Sequence, residues 1–452
     1  MLTMMTKRST VDAHPEDAMR LLSSQLPDTY QAIVGPLVRH QATLLGIPEE
    51  SLQKDNSRAA LRYGFNPDEE IIGAEVFAKG STLIAVRLTQ STRTRRVRTE
   101  EGEASLAEVR LRSIYVSYAA PEIQEENFAE FEACVTRIWN ADLKEVKQPL
   151  RRLREIAPNG QAESPSASDI ECAGVLSDKS SRALAIAIKS SSGLLLSDAP
   201  KQIPPKERGR LDEIVQSLAK VGLVETEIVV ICAKNATQTN RVPNLEVLKS
   251  LDEQGVRCSC GKLLSNEKAE EALSITDYGR SMLDGSRWMS VLVLQELLKL
   301  GIPIESIRME QEYSGEEVDC MADVYGRLVL FELKDKQFNL GNAYSFGAKV
   351  GIFRPDYPVI VTTEKVGSDA REHFVRSANS ERGRERFLPR DRRVGNDMTF
   401  IEGLSSLRQG LESVISSIAI EAFSPSLEIA LSHASVSAES ILSVWATGGT
   451  AK

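Results

Sequence analysis

The chain reads as a multidomain α/β protein. Its 452 residues exceed what one hydrophobic core organises, so length alone calls for about two to four domains. Segments in which apolar residues alternate stand beside segments in which they recur at helical spacing, and a Pro- and Ser-rich stretch divides the first third from the rest. With 42% hydrophobic and 26% charged residues, the composition is that of a folding chain rather than a disordered one.

Residues 1–156 predict an α+β unit. "GAEVFAKGSTLIAVRL" and "EVRLRSIYVSYAA" have the alternation and β-branched content of strands, and "NFAEFEACVTRIWNADLKEVKQPLRRLREI" reads as one long helical stretch. Between the strands, "TRTRRVRTEEGE" predicts an exposed loop carrying Arg93, Arg95, Arg96 and Arg98, either a solvated hairpin tip or a phosphate-contacting loop. Residues 157–169, "APNGQAESPSASD", predict a linker.

Residues 170–284 follow with Leu211, Ile214, Val215 and Leu218 on one helical face, Gly222 as a stop, and an apolar β-branched run beyond it. The order of helices and strand, together with "SITDYGRSML" at 274–283, resembles winged-helix domains. That resemblance places Lys206, Arg208 and Arg210 at the start of a recognition helix. Inside the module, Cys232 and "CSCGK" resemble a zinc ribbon in degenerate form. Asn235 stands where the first knuckle needs its second thiolate, and one residue instead of two separates Cys258 from Cys260. Three thiolates with no nearby histidine do not complete a tetrahedral site, so no stoichiometric zinc is expected.

The chemistry concentrates in "EVDCMADVYGRLVLFELKDK", 317–336, where Asp319, Glu332 and Lys334 interrupt a strongly apolar pattern. Ions there need compensation. Gly326 allows a two-residue hairpin turn at Tyr325 and Gly326, which pairs Val324 with Arg327 and sets Asp319 directly opposite Glu332. Opposed residues of antiparallel strands share a face with Cβ atoms roughly 4.5–5.5 Å apart, and Lys334 joins them two residues on. Two converging carboxylates suit a hard divalent cation such as Mg²⁺, and an adjacent lysine suits attack on a phosphate. Asp319→Ala and Glu332→Ala are each expected to abolish Mg²⁺-dependent cleavage while leaving the fold cooperative, since neither opens a large core cavity.

These residues resemble the core of the PD-(D/E)xK nuclease superfamily, the restriction-endonuclease-like proteins: Asp319 matches the Asp, and Glu332 and Lys334 match Glu-x-Lys, although Val318 replaces the preceding Pro. "SRWMSVLVLQELLKLGI" resembles the helix before the hairpin, with Glu296 where some members carry a further metal ligand. "NLGNAYSFGAKVGIFRPDYPVIVTT" resembles the helix and strand after it, offering Asn342, Tyr344 and Lys349 as substrate-contacting groups. The resemblance implies an α-β-β-β-α-β core within residues 285–400, Mg²⁺ or Mn²⁺ as cofactor, and endonucleolytic hydrolysis of DNA by Asp319, Glu332 and Lys334. By analogy it also implies a prokaryotic defence role. The alternative is a non-catalytic nucleic-acid-binding or regulatory protein that uses the fold as a platform.

The remainder is less specific. "NSERGRERFLPRDRRVGND" sets Arg382, Arg384, Arg386, Arg390, Arg392 and Arg393 in a surface loop or groove wall, and residues 401–452 return to helical spacing for packing on the nuclease core or on a partner. A net charge of -9 excludes a generally basic nucleic-acid coat while permitting a local basic groove. Six cysteines without a disulfide framework, no apolar signal run and no long uncharged span predict a cytoplasmic protein with no membrane partner. A homo-oligomer or a defence-system partner protein stays open.

Overall fold

The computed structural model describes residues 1–48, 69–98, 104–123, 126, 128–146, 151–157, 162–191, 193–313, 315–384, 398–431, 438, 441 and 442. The chain is mixed α/β, and its described residues form three sheets of six, four and five strands.

The first sheet takes β1 (Thr3–Val11), β2 (Gln31–Ala32), β3 (Glu69–Lys79), β4 (Thr82–Arg98), β5 (Ala104–Ala120) and β6 (Lys144–Glu145), in the order β2-β3-β4-β5-β1-β6. Helices α1 (Ala18–Gln25), α2 (Val34–Leu45), α3 (Ala129–Trp139) and α4 (Arg151–Ile156) accompany it. The β4–β5 ladder runs unbroken from Leu83↔Ala119 to Arg98↔Ala104. Arg93, Arg95, Arg96 and Arg98 are therefore strand positions, not the loop the charge run suggests, and the turn itself lies outside the described residues. The single helix expected before residue 156 is also two, because Asn140 turns left-handed (φ 49°) after Trp139 and ends α3.

Helix α5 (Ala167–Ser177) begins inside the expected linker, where Ser166 and Asp169 close a reciprocal capping box. There follow α6 (Lys179–Ser190), β7 (Leu194–Leu195), α7 (Leu211–Lys220), β8 (Val224–Ile231), β9 (Gln238–Val242), α8 (Leu245–Glu253), β10 (Lys268–Ile275) and α9 (Asp277–Leu283). The second sheet has the order β7-β10-β8-β9. Ile214 and Leu218 on α7 are buried, as their spacing predicts, and Gly222 takes φ 72° to turn the chain into β8. On α9, a Cβ at Gly279 would meet the Leu223 carbonyl oxygen at 2.3 Å and Ile275 Cδ1 at 2.8 Å. Gly279→Ala is thus expected to lower stability by about 2–4 kcal/mol through backbone displacement, checked by urea melts; an unchanged midpoint would refute the close approach.

The third sheet follows α10 (Arg287–Lys299). It comprises β11 (Ile307–Tyr313), β12 (Glu316–Val324), β13 (Arg327–Lys334), β14 (Tyr357–Thr362) and β15 (Thr399–Glu402) in sequential order. Helix α11 (Leu340–Phe353) connects β13 to the parallel β14, and α12 (Ser368–Arg384) connects β14 to the parallel β15. Arg382 and Arg384 end α12, while Arg386, Arg390, Arg392 and Arg393 lie outside the described residues.

One hydrophobic core runs continuously from Cys172 and Leu184 through Leu273, Met282 and Trp288 to Phe331, Val359 and Ile401, crossing positions 284/285 and 400/401. The last long helix, α13 (Leu407–Ala430), joins that core through Leu411, Val414, Ile415 and Ile418. Its second half, Ala419, Phe423 and Leu427, covers Leu2, Val76, Leu83 and Ala85 on one face of the first sheet. Residues 404–430 are long and apolar enough to cross a membrane by composition, but this packing against two sheets accounts for the apolarity.

Candidate functional site

The site is made by a turn. Tyr325 (φ 50°) and Gly326 (φ 79°) both sit left-handed, as a two-residue type I′ hairpin requires, and Asp323 Oδ1 accepts from Gly326 N–H at 2.9 Å to hold it. Val324 pairs with Arg327 and the ladder continues to Cys320↔Phe331. The ladder ends at that pair; carried one residue further, its register would set Asp319 opposite Glu332. There the carboxylate of Asp319 reaches across, and Oδ2 accepts from Leu333 N–H at 2.6 Å.

Glu332 is 2% exposed. Each of its oxygens meets a lysine: Oε1 lies 2.9 Å from Lys334 Nζ and Oε2 lies 2.8 Å from Lys349 Nζ. Lys349 comes from α11, whose Phe346, Lys349 and Phe353 all turn inward. A lysine on the buried face of a helix needs a carboxylate, and Glu332 is that partner. Lys334, by contrast, keeps part of its side chain in solvent.

Burial raises the Asp319 carboxyl to about 6, and the nearby Glu332 charge adds to the rise, against the lowering effects of the Leu333 N–H and both lysines. Burial pulls Lys334 down, but Glu332, then Asp319 and Glu317, outweigh it and hold the ammonium above its ordinary range. The result is a pocket of two carboxylates and two ammonium groups, with one carboxyl whose proton comes off near neutrality. Two carboxylates on one face fit a hard divalent cation; Asp319 is the half-buried member of the pair and the one its lysines hold less firmly.

The structure does not bring Glu296 into this group. Its carboxylate is held by Lys299 at 2.8 Å and by Arg408 of α13 at 3.3 Å, because this face of α10 looks toward α13. Asp319, Glu332 and Glu296 are not among the sets of three or more donors, within the described residues, that lie close enough to share an ion. The expected third metal ligand is corrected to a structural ion pair. Asn342 likewise closes a capping box with Asn339 at the start of α11, and Tyr344 is exposed against His373. Removal of Glu332 would leave the buried Lys349 without its carboxylate partner.

Next to the site, Asp335 receives Arg182 Nε of α6 at 2.8 Å, both side chains nearly buried, with the guanidinium 5.0 Å from the Trp288 ring centroid. On the second sheet's side, Lys206 and Arg208 are exposed in the 3₁₀ turn before α7. Arg210 is drawn instead into Glu207 at 2.7 Å and Glu213 at 3.3 Å. The fourth donor that three cysteines need also exists: Glu267 lies beside Cys232, Cys258 and Cys260. A search restricted to Cys and His could not find it.

No family model, curated protein or solved structure matches this chain.

Proposed function

We propose that the chain is a divalent-metal-dependent endonuclease hydrolysing phosphodiester bonds of DNA. Asp319 and Glu332 would hold Mg²⁺ or Mn²⁺, and Lys334 would stand beside the attacking water. The observation that carries this reading is the hairpin register, which converges Asp319, Glu332 and Lys334 on one face. The order α10, β11, β12, β13, α11, β14 supports a restriction-endonuclease-like core, and the order β7-β10-β8 behind α7 supports a winged-helix-like module. A cation bound at the carboxylates supplies Lewis-acid polarisation of the phosphate and lowers the pKa of water.

The chain's own residues divide the remaining work. Asp319 loses its proton near neutral pH and becomes an anionic ligand. Lys349 fixes the Glu332 rotamer from behind. Lys334, partly in solvent beside Glu332 Oε1, would place the attacking water. Exposed Lys206 and Arg208 would add phosphate contacts outside the site. A role in prokaryotic defence remains an analogy with the superfamily.

One observation favours a second reading, a non-catalytic nucleic-acid-binding platform: both oxygens of Glu332 already have lysine partners. Incubation of plasmid and oligonucleotide substrates with Mg²⁺, Mn²⁺ or chelator separates the two. Metal-dependent scission is expected; salt-sensitive binding without scission of DNA or RNA under any metal would select the platform. Within the first reading, Lys334→Ala is expected to slow single-turnover cleavage about 10²-fold or more while leaving DNA affinity within about threefold. Parental turnover in that variant would remove Lys334 from the reaction.

A further inference from the structure

The segment joining β8 to β10 folds around four donors that phosphodiester hydrolysis does not use. Cys232 follows β8 directly, Cys258 and Cys260 occupy one tight turn, and Glu267 precedes β10. The three Sγ atoms and a Glu267 carboxylate oxygen all lie within 4.8 Å of one another. Cys232, Cys258 and Glu267 are 0%, 4% and 7% exposed.

Tight backbone turns carry the sulfurs at both ends. The first turn is closed by Cys232 N–H to the Thr237 carbonyl at 2.9 Å and Ala236 N–H to the Cys232 carbonyl at 2.8 Å. The second turn is closed by Cys258 N–H to the Lys262 carbonyl at 2.9 Å and Gly261 N–H to the Cys258 carbonyl at 2.8 Å, with Gly261 at φ 92°. Glu267 is oriented too, because Oε2 accepts from Ala233 N–H at 2.6 Å while Oε1 accepts from the Cys260 thiol at 2.7 Å. Three thiolates and a carboxylate in one small space repel unless a cation lies among them.

Packing points the same way. The local core consists of Val230, Cys232, Val242, Leu248, Cys258 and Leu264, so two of its six buried members are themselves donors. A unit with so little apolar surface needs a staple.

We infer that Cys232, Cys258, Cys260 and Glu267 form a closed structural Zn²⁺ site. Tetrahedral zinc with bonds of about 2.3 Å to sulfur and about 2.0–2.2 Å to carboxylate oxygen sets its ligands about 3.6–3.8 Å apart, inside the 4.8 Å limit that encloses the four donors, and the 2.7 Å contact of Cys260 with Glu267 would open to that edge on binding. Thiolate-rich donors select zinc over the hard cations suited to Asp319 and Glu332, so the two sites are chemically independent. Four protein ligands leave no open position, and the role is to hold the insertion together. Binding displaces the thiol protons, so affinity rises with pH.

The full chain, purified under reducing conditions without chelator, is to be assayed by elemental analysis and by native mass spectrometry, then stripped and titrated with Zn²⁺ and Co²⁺. About one tightly held zinc per chain is expected, with cobalt giving the intense bands of a tetrahedral thiolate complex. Glu267→Gln is expected to weaken zinc retention against a chelating dye by about tenfold or more, while Glu267→Cys, which completes a four-sulfur set, keeps the ion. Cys260→Ser should lose about a third of the thiolate-to-cobalt charge-transfer intensity, or all of it if the metal is lost. A parent protein that takes up neither metal on titration overturns the site, and Glu267→Gln protein holding zinc as tightly as the parent overturns its fourth ligand.

Discussion

Asp319→Asn is expected to abolish metal-dependent cleavage and, at the same time, to make the metal-free protein more stable at neutral pH. The first effect follows from loss of an anionic ligand and amounts to about 10³-fold or more in rate. The second follows from the raised carboxyl. In the unfolded chain Asp319 ionises near its ordinary 3.8, but in the fold burial, reinforced by the Glu332 charge, holds the proton until about 6. Between those values the native state binds the extra proton, so raising the pH through that window costs stability, and the full penalty is present above it. Partial contact with solvent limits the penalty to about 1–2 kcal/mol. The amide keeps the acceptor for Leu333 N–H and removes the charge. Melting curves should therefore favour the variant at pH 8 and coincide with the parent at pH 4. Adding Mg²⁺ should stabilise only the parent. Parental cleavage should rise with pH through about 6 at subsaturating Mg²⁺. A variant that is less stable at pH 8, or one that still cuts, would contradict this account.

A second large effect concerns the buried pair of Glu332 and Lys349. Glu332→Gln is expected to cost about 3–5 kcal/mol, because the nearly buried Lys349 loses its carboxylate partner. Lys349→Met should cost less, about 1–3 kcal/mol, since Lys334 still holds Oε1. The double variant should recover most of the loss, as two isosteric neutral groups replace two ions. Denaturant unfolding of all four proteins gives the coupling energy, expected at about 2 kcal/mol or more. Additive losses would mean the two side chains do not share a desolvated contact.

The hairpin was the most legible part of the chain, because period-two alternation and a turn glycine jointly fix a register, and a register fixes which side chains share a face. Val324↔Arg327 follows from that reasoning alone. Lys349, read from the sequence as a substrate-contacting group, instead falls in the buried Phe346 and Phe353 row of α11 and pairs with Glu332, a partner that sequence does not name. Glu296 misled because a helix position identifies a face and not the neighbour opposite, which here is Arg408, 112 residues away. The arginines before residue 99 misled for another reason. A run of charge does not distinguish a loop from a strand, and the backbone pairing of β4 with β5 carries these positions. Glu267 gave no signal at all, since its role rests on folding back toward Cys232 across the whole insertion.

The two-sided packing of α13 has a kinetic meaning. Leu2 N–H bonds Ser416 Oγ at 3.0 Å across 414 positions, and the same helix completes both the core beneath Phe331 and the face that carries Leu83. Contacts of such separation are slow to form. On the ribosome, the first sheet and the hairpin of Asp319 are synthesised long before residues 407–430, and until these emerge each keeps an apolar surface uncovered. The two apolar surfaces are therefore expected to be covered together, by one helix made late in synthesis, so that assembly is completed from the side of residues 407–430.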